Sequence, residues 1–272
     1  MHYAQHLPSL TLRPYVECFW TLNGKLPPEH RQPERILPDG CMEMIFHRGI
    51  PFQRLSGSSD IETQSTSFVV GQVTEPVVVI PSHQVDVLGI RFQPGGAFPF
   101  LHIPMLELRG RFVELKSVDR WTRRLHDIAA NAQSTPEAMS ALSRELENRL
   151  DSSSGSSRVS GLASTILRRC GGVSLSELAR EAGISQRQIE REFGLHVGVS
   201  PKMLSRIARF QQVFRAMDSS PSWVQTALNC GYYDQAHLIA DFQQFAGTTP
   251  GRFQLEEFEL GRFFLRSTRP SS

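Results

Sequence analysis

The sequence predicts an α+β chain. An N-terminal β-barrel or sandwich-like domain with trailing helices precedes an all-α domain of two helix-turn-helix units joined by a long helix. Three observations carry this. Short β-prone runs between Pro and Gly fill residues 1–116, a small polar stretch Asp151–Ser157 follows a helical pattern, and beyond it one apolar pattern occurs twice.

The β-prone runs are Cys41–His47, Phe68–Val73, Val77–Ile80 and Val85–Gln93, the last closed by Pro94-Gly95-Gly96. Many short strands without long helices point to an antiparallel barrel or sandwich. Alternation puts Val85, Val87, Gly89, Arg91 and Gln93 on one face, and Cys41, Glu43, Ile45 and His47 on another. A barrel interior holding Arg91 and Glu43 suits a small polar ligand, with Trp20 and His83 as further lining candidates. A plain Arg–Glu pair explains the first two residues equally well.

From Ser117 to the polar stretch the pattern is helical. Met139, Leu142, Leu146 and Leu150 recur at spacings of three and four, with Thr135 as cap and Pro136 in the first turn. This stripe either packs on its own β domain or pairs two chains into a homodimer. Residues 151–157 read as a linker, giving domains of 1–150 and 158–266.

After the linker, Ala179, Gly183, Phe193, Gly198 and Pro201 form one series. Ala227, Gly231, Phe242, Gly247 and Pro250 form a second, one residue longer in its turn. Ser174 and Glu177 make a capping box for the first helix, with Leu175, Leu178, Ala179 and Ala182 inside. Ser185 caps the next, with Ile189 and Phe193 inside. In the second unit Ser222 and Asp234 are caps, Trp223, Ala227 and Leu228 face in from the first helix, and Leu238, Phe242 and Phe245 from the second. Between the units, Ser200–Met217 predicts one long helix with Pro201 in its first turn. Such a helix fixes two reading helices so that they enter successive major grooves, about 34 Å apart.

Composition bounds the function. The chain has 272 residues, 40% hydrophobic and 21% charged, with net charge +2. The basic excess sits late: residues 158–272 hold 14 Lys+Arg against 10 Asp+Glu, residues 1–157 hold 15 against 17. No apolar run reaches membrane-spanning length and no signal peptide is evident, so a cytoplasmic protein without a membrane partner is expected. Cys18, Cys41, Cys170 and Cys230 form no close pair, and His47, His83 and His102 lack ligand spacing. Neither a nucleophile elbow nor a phosphate loop occurs. No metal, cofactor or enzymatic activity is therefore expected, the alternative being a β-barrel enzyme with an attached DNA-binding domain.

Residues 158–255 resemble the DNA-binding domain of the AraC/XylS family of transcription regulators. The likeness rests on Leu175-Ser-Glu-Leu-Ala179, Gly183-Ile-Ser185, Arg191-Glu-Phe193, Gly198-Val-Ser-Pro201, the stretch Ala227–Phe242 and Gly247-Thr-Thr-Pro250. Residues 1–116 resemble an N-terminal domain found in a subgroup of that family, through Ile36–Phe46 and Gly89–Ala97. The resemblance implies a sequence-specific regulator that binds double-stranded promoter DNA and responds to an unknown small-molecule effector. RNA polymerase is a partner if it activates.

Base readers are then expected on the second helix of each unit. Gln186, Arg187, Glu190 and Arg191 are left outside by Ile189 and Phe193. Arg, Gln and Glu have the donor and acceptor patterns that guanine, adenine and cytosine edges require. The family resemblance gives Arg191 a base-reaching position, and Arg187 and Glu190 more loosely. The second unit offers Gln235, His237 and Ala240, the last where relatives commonly carry arginine, with Asp241 adding negative charge nearby. Phosphate candidates are Arg168, Arg169, Lys202, Arg206, Arg209 and Arg252.

Overall fold

A computed structural model describes residues 1–56, 60–150, 158–216 and 223–253. Ten strands and ten α-helices occur among them. The strands are β1 (His2–His6), β2 (Val16–Lys25), β3 (Glu34–Ile36), β4 (Glu43–His47), β5 (Gln53–Ser56), β6 (Asp60–Thr63), β7 (Ser67–Val70), β8 (Val77–Ile80), β9 (Gln84–Phe92) and β10 (Phe112–Glu114). They form two antiparallel sheets, ordered β1-β2-β9-β4-β7-β10 and β3-β8-β5-β6. The expected alternation holds in β4 and β9: Arg91 lies opposite Glu43, Gly89 opposite Ile45 and Val87 opposite His47. The sequence reading omitted β2, the longest strand. Both its faces are buried, so it lacks the polar alternation that marks a half-exposed strand.

The two faces of the larger sheet have different neighbours. Phe19, Met44, Phe46, Leu88, Ile90 and Phe92 pack against four helices, α1 (Phe98–Leu101), α2 (Met105–Leu108), α3 (Arg120–Asn131) and α4 (Thr135–Arg149). Trp20, Leu22, Val85 and Val87 face Val79 of the smaller sheet and Phe52 just before β5. Two expectations for α4 change here. Its cap is Ser134, which accepts from the Glu137 N–H, so Thr135 is the first helical residue. The stripe is covered by the chain's own β domain: Leu142 and Leu146 are fully buried, with Met139 and Leu150 packed beside them. Met139 and Leu150 are only half-buried, so the stripe is used mostly, not wholly, within the chain. The linker expected at 151–157 lies outside the described residues.

The C-terminal helices are α5 (Arg158–Arg168), α6 (Leu175–Ala182), α7 (Gln186–His196), α8 (Pro201–Ala216), α9 (Trp223–Asn229) and α10 (Gln235–Ala246). The repeat sets their boundaries. Ser174 and Glu177 complete the capping box, Ser185 accepts from Gln188 N–H, Ser200 from Met203 N–H and Asp234 from His237 N–H. Gly183 and Gly231 take φ of 66° and 74° after the first helix of each unit, a backbone region that favours glycine. Helix α8 serves both units, with Leu204 and Ala208 in the first core and Ile207, Phe210 and Val213 in the second. Leu228 departs from expectation. The buried face of α9 runs through Thr226 and Ala227 toward Cys230 just past its end, which leaves Leu228 off the stripe and 55% exposed. Ser222 and Met217 lie outside the described residues.

Candidate functional site

The two faces expected to read bases differ. On α7, Ile189 and Phe193 point into the core while Gln186, Arg187, Glu190 and Arg191 are exposed. Arg187 and Arg191 border one shallow depression with Ser185 and Gln188. Arg191 pairs with Glu192 at 3.3 Å yet its side chain stays 75% exposed, so the guanidinium can turn to a base edge. On α10, Gln235 and Ala240 are exposed, and His237 is half-buried with its ring edge-on to Tyr232 at 5.1 Å.

Asp241 does not add charge to that face. It is 1% exposed and accepts two hydrogen bonds from Arg206 of α8, from Nε at 3.0 Å and Nη2 at 2.6 Å. Arg206 Nη2 also donates to Gln244 Oε1. This corrects two expectations together. Arg206 is a tie between the joining helix and α10 rather than a free phosphate ligand, and the charge of Asp241 is neutralised inside. Arg209 is half-buried, with its guanidinium 5.5 Å from the Tyr232 ring centre. Arg168, Arg169, Lys202 and Arg252 are exposed.

The N-terminal domain holds this assembly closely. Helix α2 packs on α7, and the Phe98 and His196 rings lie 4.2 Å apart. A loop over residues 37–41 meets α8. Gln211 Nε2 donates to Pro38 O at 2.5 Å, Leu37 sits in the core of the second unit, and a Cβ on Gly40 would come within 2.8 Å of Leu204.

The other side of that loop borders a cavity of about 90 Å³ between the two sheets. Its walls are mainly apolar, with Trp20, Ile45, Phe52, Val77 and Phe112 among them. Its polar lining is Asp39, Cys41, Glu43, His47 and Gln64. Trp20 lies over Gly89, where any Cβ would fall on the indole. Arg91 stands behind this wall, fully buried. Its Nε donates to Glu17 at 3.0 Å, Nη1 to Glu43 at 2.9 Å and Nη2 to Asp39 at 2.5 Å. Burial pushes the Glu43 carboxyl up to about 7, against the pull of Arg91. Burial lowers His47 to about 4, so its ring is neutral near pH 7.

Of the residues expected at the cavity, Trp20 and Glu43 line it. Arg91 braces it from behind because three carboxylates engage its guanidinium. His83 is exposed in the turn before β9 and does not line it. Sequence reasoning missed Asp39, Glu17 and the loop contact with α8. Extending the 41-43-45-47 alternation back by two residues would have found Asp39. Glu17 has no such signal: a register break between Val16 and Cys18 accompanies its turn toward Arg91.

Comparison with known families gives two matches. Residues 4–114 match a domain of unknown function, DUF6597, and residues 178–256 match a helix-turn-helix domain. A search of curated proteins finds no match. Among solved structures, ToxT from Vibrio cholerae in a P21 crystal form aligns with a TM-score of 0.46 at 8% identity, over 90% of this chain and 97% of that one. ToxT from Vibrio cholerae O395 bound to (E)-4-(8-methylnaphthalen-1-yl)but-3-enoic acid aligns at 0.44 and 9% identity, over 92% and 99%. Unsaturated fatty acid-bound ToxT from Vibrio cholerae strain SCE256 aligns at 0.37 and 9% identity, over 85% and 93%. The helix-turn-helix match over residues 178–256 overlaps the stretch that resembles the AraC/XylS DNA-binding domain, and the domain of unknown function at residues 4–114 precedes it.

Proposed function

We propose that this regulator reads a specific DNA sequence through α7 and α10 and is controlled by a small molecule bound in its N-terminal domain, without catalysing a reaction. One observation carries the ligand-responsive part. The loop over residues 37–41 belongs to two sites at once: Leu37, Asp39 and Cys41 border the cavity, and Leu37, Pro38 and Gly40 meet the second unit and α8. Because both are close-packed, filling the cavity shifts the loop, and the loop shifts the helix that spaces the two reading units. Binding of an effector then changes the match to two successive grooves.

For base reading, Gln186, Arg187, Glu190 and Arg191 have the exposure the role needs. The second unit reads less, through Gln235 and His237. Arg168, Arg169, Lys202 and Arg252 hold phosphates.

The test of the coupling is DNA affinity of the full chain carrying Val77→Phe, which fills the cavity, or Gln211→Leu, which cuts the tie to Pro38. Both changes are expected to alter DNA affinity with the fold retained by circular dichroism. Two folded variants that bind DNA as the parent does would overturn the coupling.

A further inference from the structure

Given that the N-terminal domain is the sensor, we propose that its cavity takes a compact apolar molecule bearing a protonated nitrogen, with Asp39 and Glu43 as counter-charges and His47 Nδ1 as a hydrogen-bond acceptor. The apolar walls favour a hydrocarbon body. About 90 Å³ holds several waters or one small ring with a short arm.

The polar end decides the charge of the ligand. No Lys or Arg is among the described residues that line the cavity, whereas two carboxylates are. The nearby cation, Arg91, is 0% exposed and already donates to three carboxylates. One guanidinium against three carboxylates leaves the cluster short of positive charge when all three are ionised. Buried carboxylates without full compensation are costly. Burial raises the Glu43 carboxyl most, Asp39 and Glu17 beside it add to the rise, and an arriving ammonium opposes both. A carboxylate ligand would meet Asp39 and Glu43 with no free donor cation.

His47 supplies an independent indication. It is 7% exposed and lines the cavity. Its Nε2 lies 3.0 Å from Gln64 Oε1, an acceptor, so Nε2 carries the proton. Nδ1 then holds a bare lone pair, and it is buried without a partner. A buried acceptor in that state calls for a donor, which an ammonium or amidinium provides. Trp20 adds an aromatic wall of the kind that attracts organic cations.

The experiment uses three probes with the same ring and different charge: benzylamine, benzyl alcohol and benzoate. Calorimetric titration into the full chain is expected to show benzylamine binding most tightly and benzoate not at all. Glu43→Gln and Asp39→Asn, both checked for folding by urea unfolding, are expected to weaken benzylamine by at least about tenfold, the effect of losing a charge-assisted hydrogen bond. Benzyl alcohol or benzoate binding as well as the amine would overturn the charge class and leave the sensor standing. Amine binding that folded Glu43→Gln and Asp39→Asn both leave unchanged would overturn it too. If no probe binds, the charge class also falls, and Val77→Phe separates the two readings: altered DNA affinity keeps the sensor, unaltered affinity removes both.

Discussion

Replacing Arg206 distinguishes a structural tie from a phosphate contact. Arg206 makes three hydrogen bonds, two to Asp241 and one to Gln244. Asp241 is 1% exposed, and its second oxygen is buried as well. Arg206→Met therefore leaves a buried carboxylate whose ion pair is gone, a change that costs about 3–5 kcal/mol. Pairing it with Asp241→Leu removes the stranded charge, and the double variant should recover most of that loss. Lys202, exposed on the same helix, provides the contrast. Lys202→Met should change stability by no more than about 0.5 kcal/mol, while lowering the slope of log affinity against log salt by about 0.9, one phosphate contact. Urea unfolding gives the first quantity, and DNA titration over a salt series the second. An Arg206→Met chain that keeps its stability but loses about 0.9 of salt slope would refute the tie and restore Arg206 as a phosphate ligand.

The other predictions concern the reading face, the core and the cavity wall. Arg191→Ala should cost about 1–3 kcal/mol of discrimination at one base position, whereas Ala240→Arg should add preference in the other half of the site; randomised-site selection on each variant checks both, and an unchanged motif for Arg191→Ala counts against its role. Leu142→Ala should lose about 2–5 kcal/mol in urea unfolding, and Leu142→Glu with Leu146→Glu should unfold the β domain, a result that light scattering separates from simple dissociation of a folded dimer. His47 titrates at about 4 in the fold against an ordinary 6.5, so the unfolded chain takes up this proton first as pH falls. The stability it contributes is present above pH 6.5 and is lost between about 6.5 and 4, on the order of 3 kcal/mol. His47→Phe should flatten that part of the pH–stability curve.

The sequence by itself determined the second half of this protein well. Helix caps, left-handed glycines and apolar faces act over three to five residues, so Ser174, Gly183, Ile189 and Phe193 could be assigned from their neighbours alone. Repetition in the Ala227–Pro250 series then fixed the architecture. Leu228 escaped because a seven-residue helix shows too little of its periodicity to separate a stripe residue from its flank. In the first half, alternation placed Glu43, Ile45 and His47 on one face, as found. It could not say that Glu17 turns to the same cluster at an irregular register, or that Arg91 is wholly enclosed by three carboxylates from three chain segments.

Tertiary structure alone decided which charges are free and what the cavity touches. Arg206 and Arg191 look alike in sequence as exposed-face arginines near a reading helix. A partner 35 residues away buries the charge of one in a tie, and the other stays in solvent. The loop over residues 37–41 reads as an ordinary turn, yet Pro38 meets Gln211 across 173 residues. Local signals arise from backbone geometry and therefore persist in the sequence. Contacts of that separation exist only once two independently patterned surfaces have packed, so no periodicity records them.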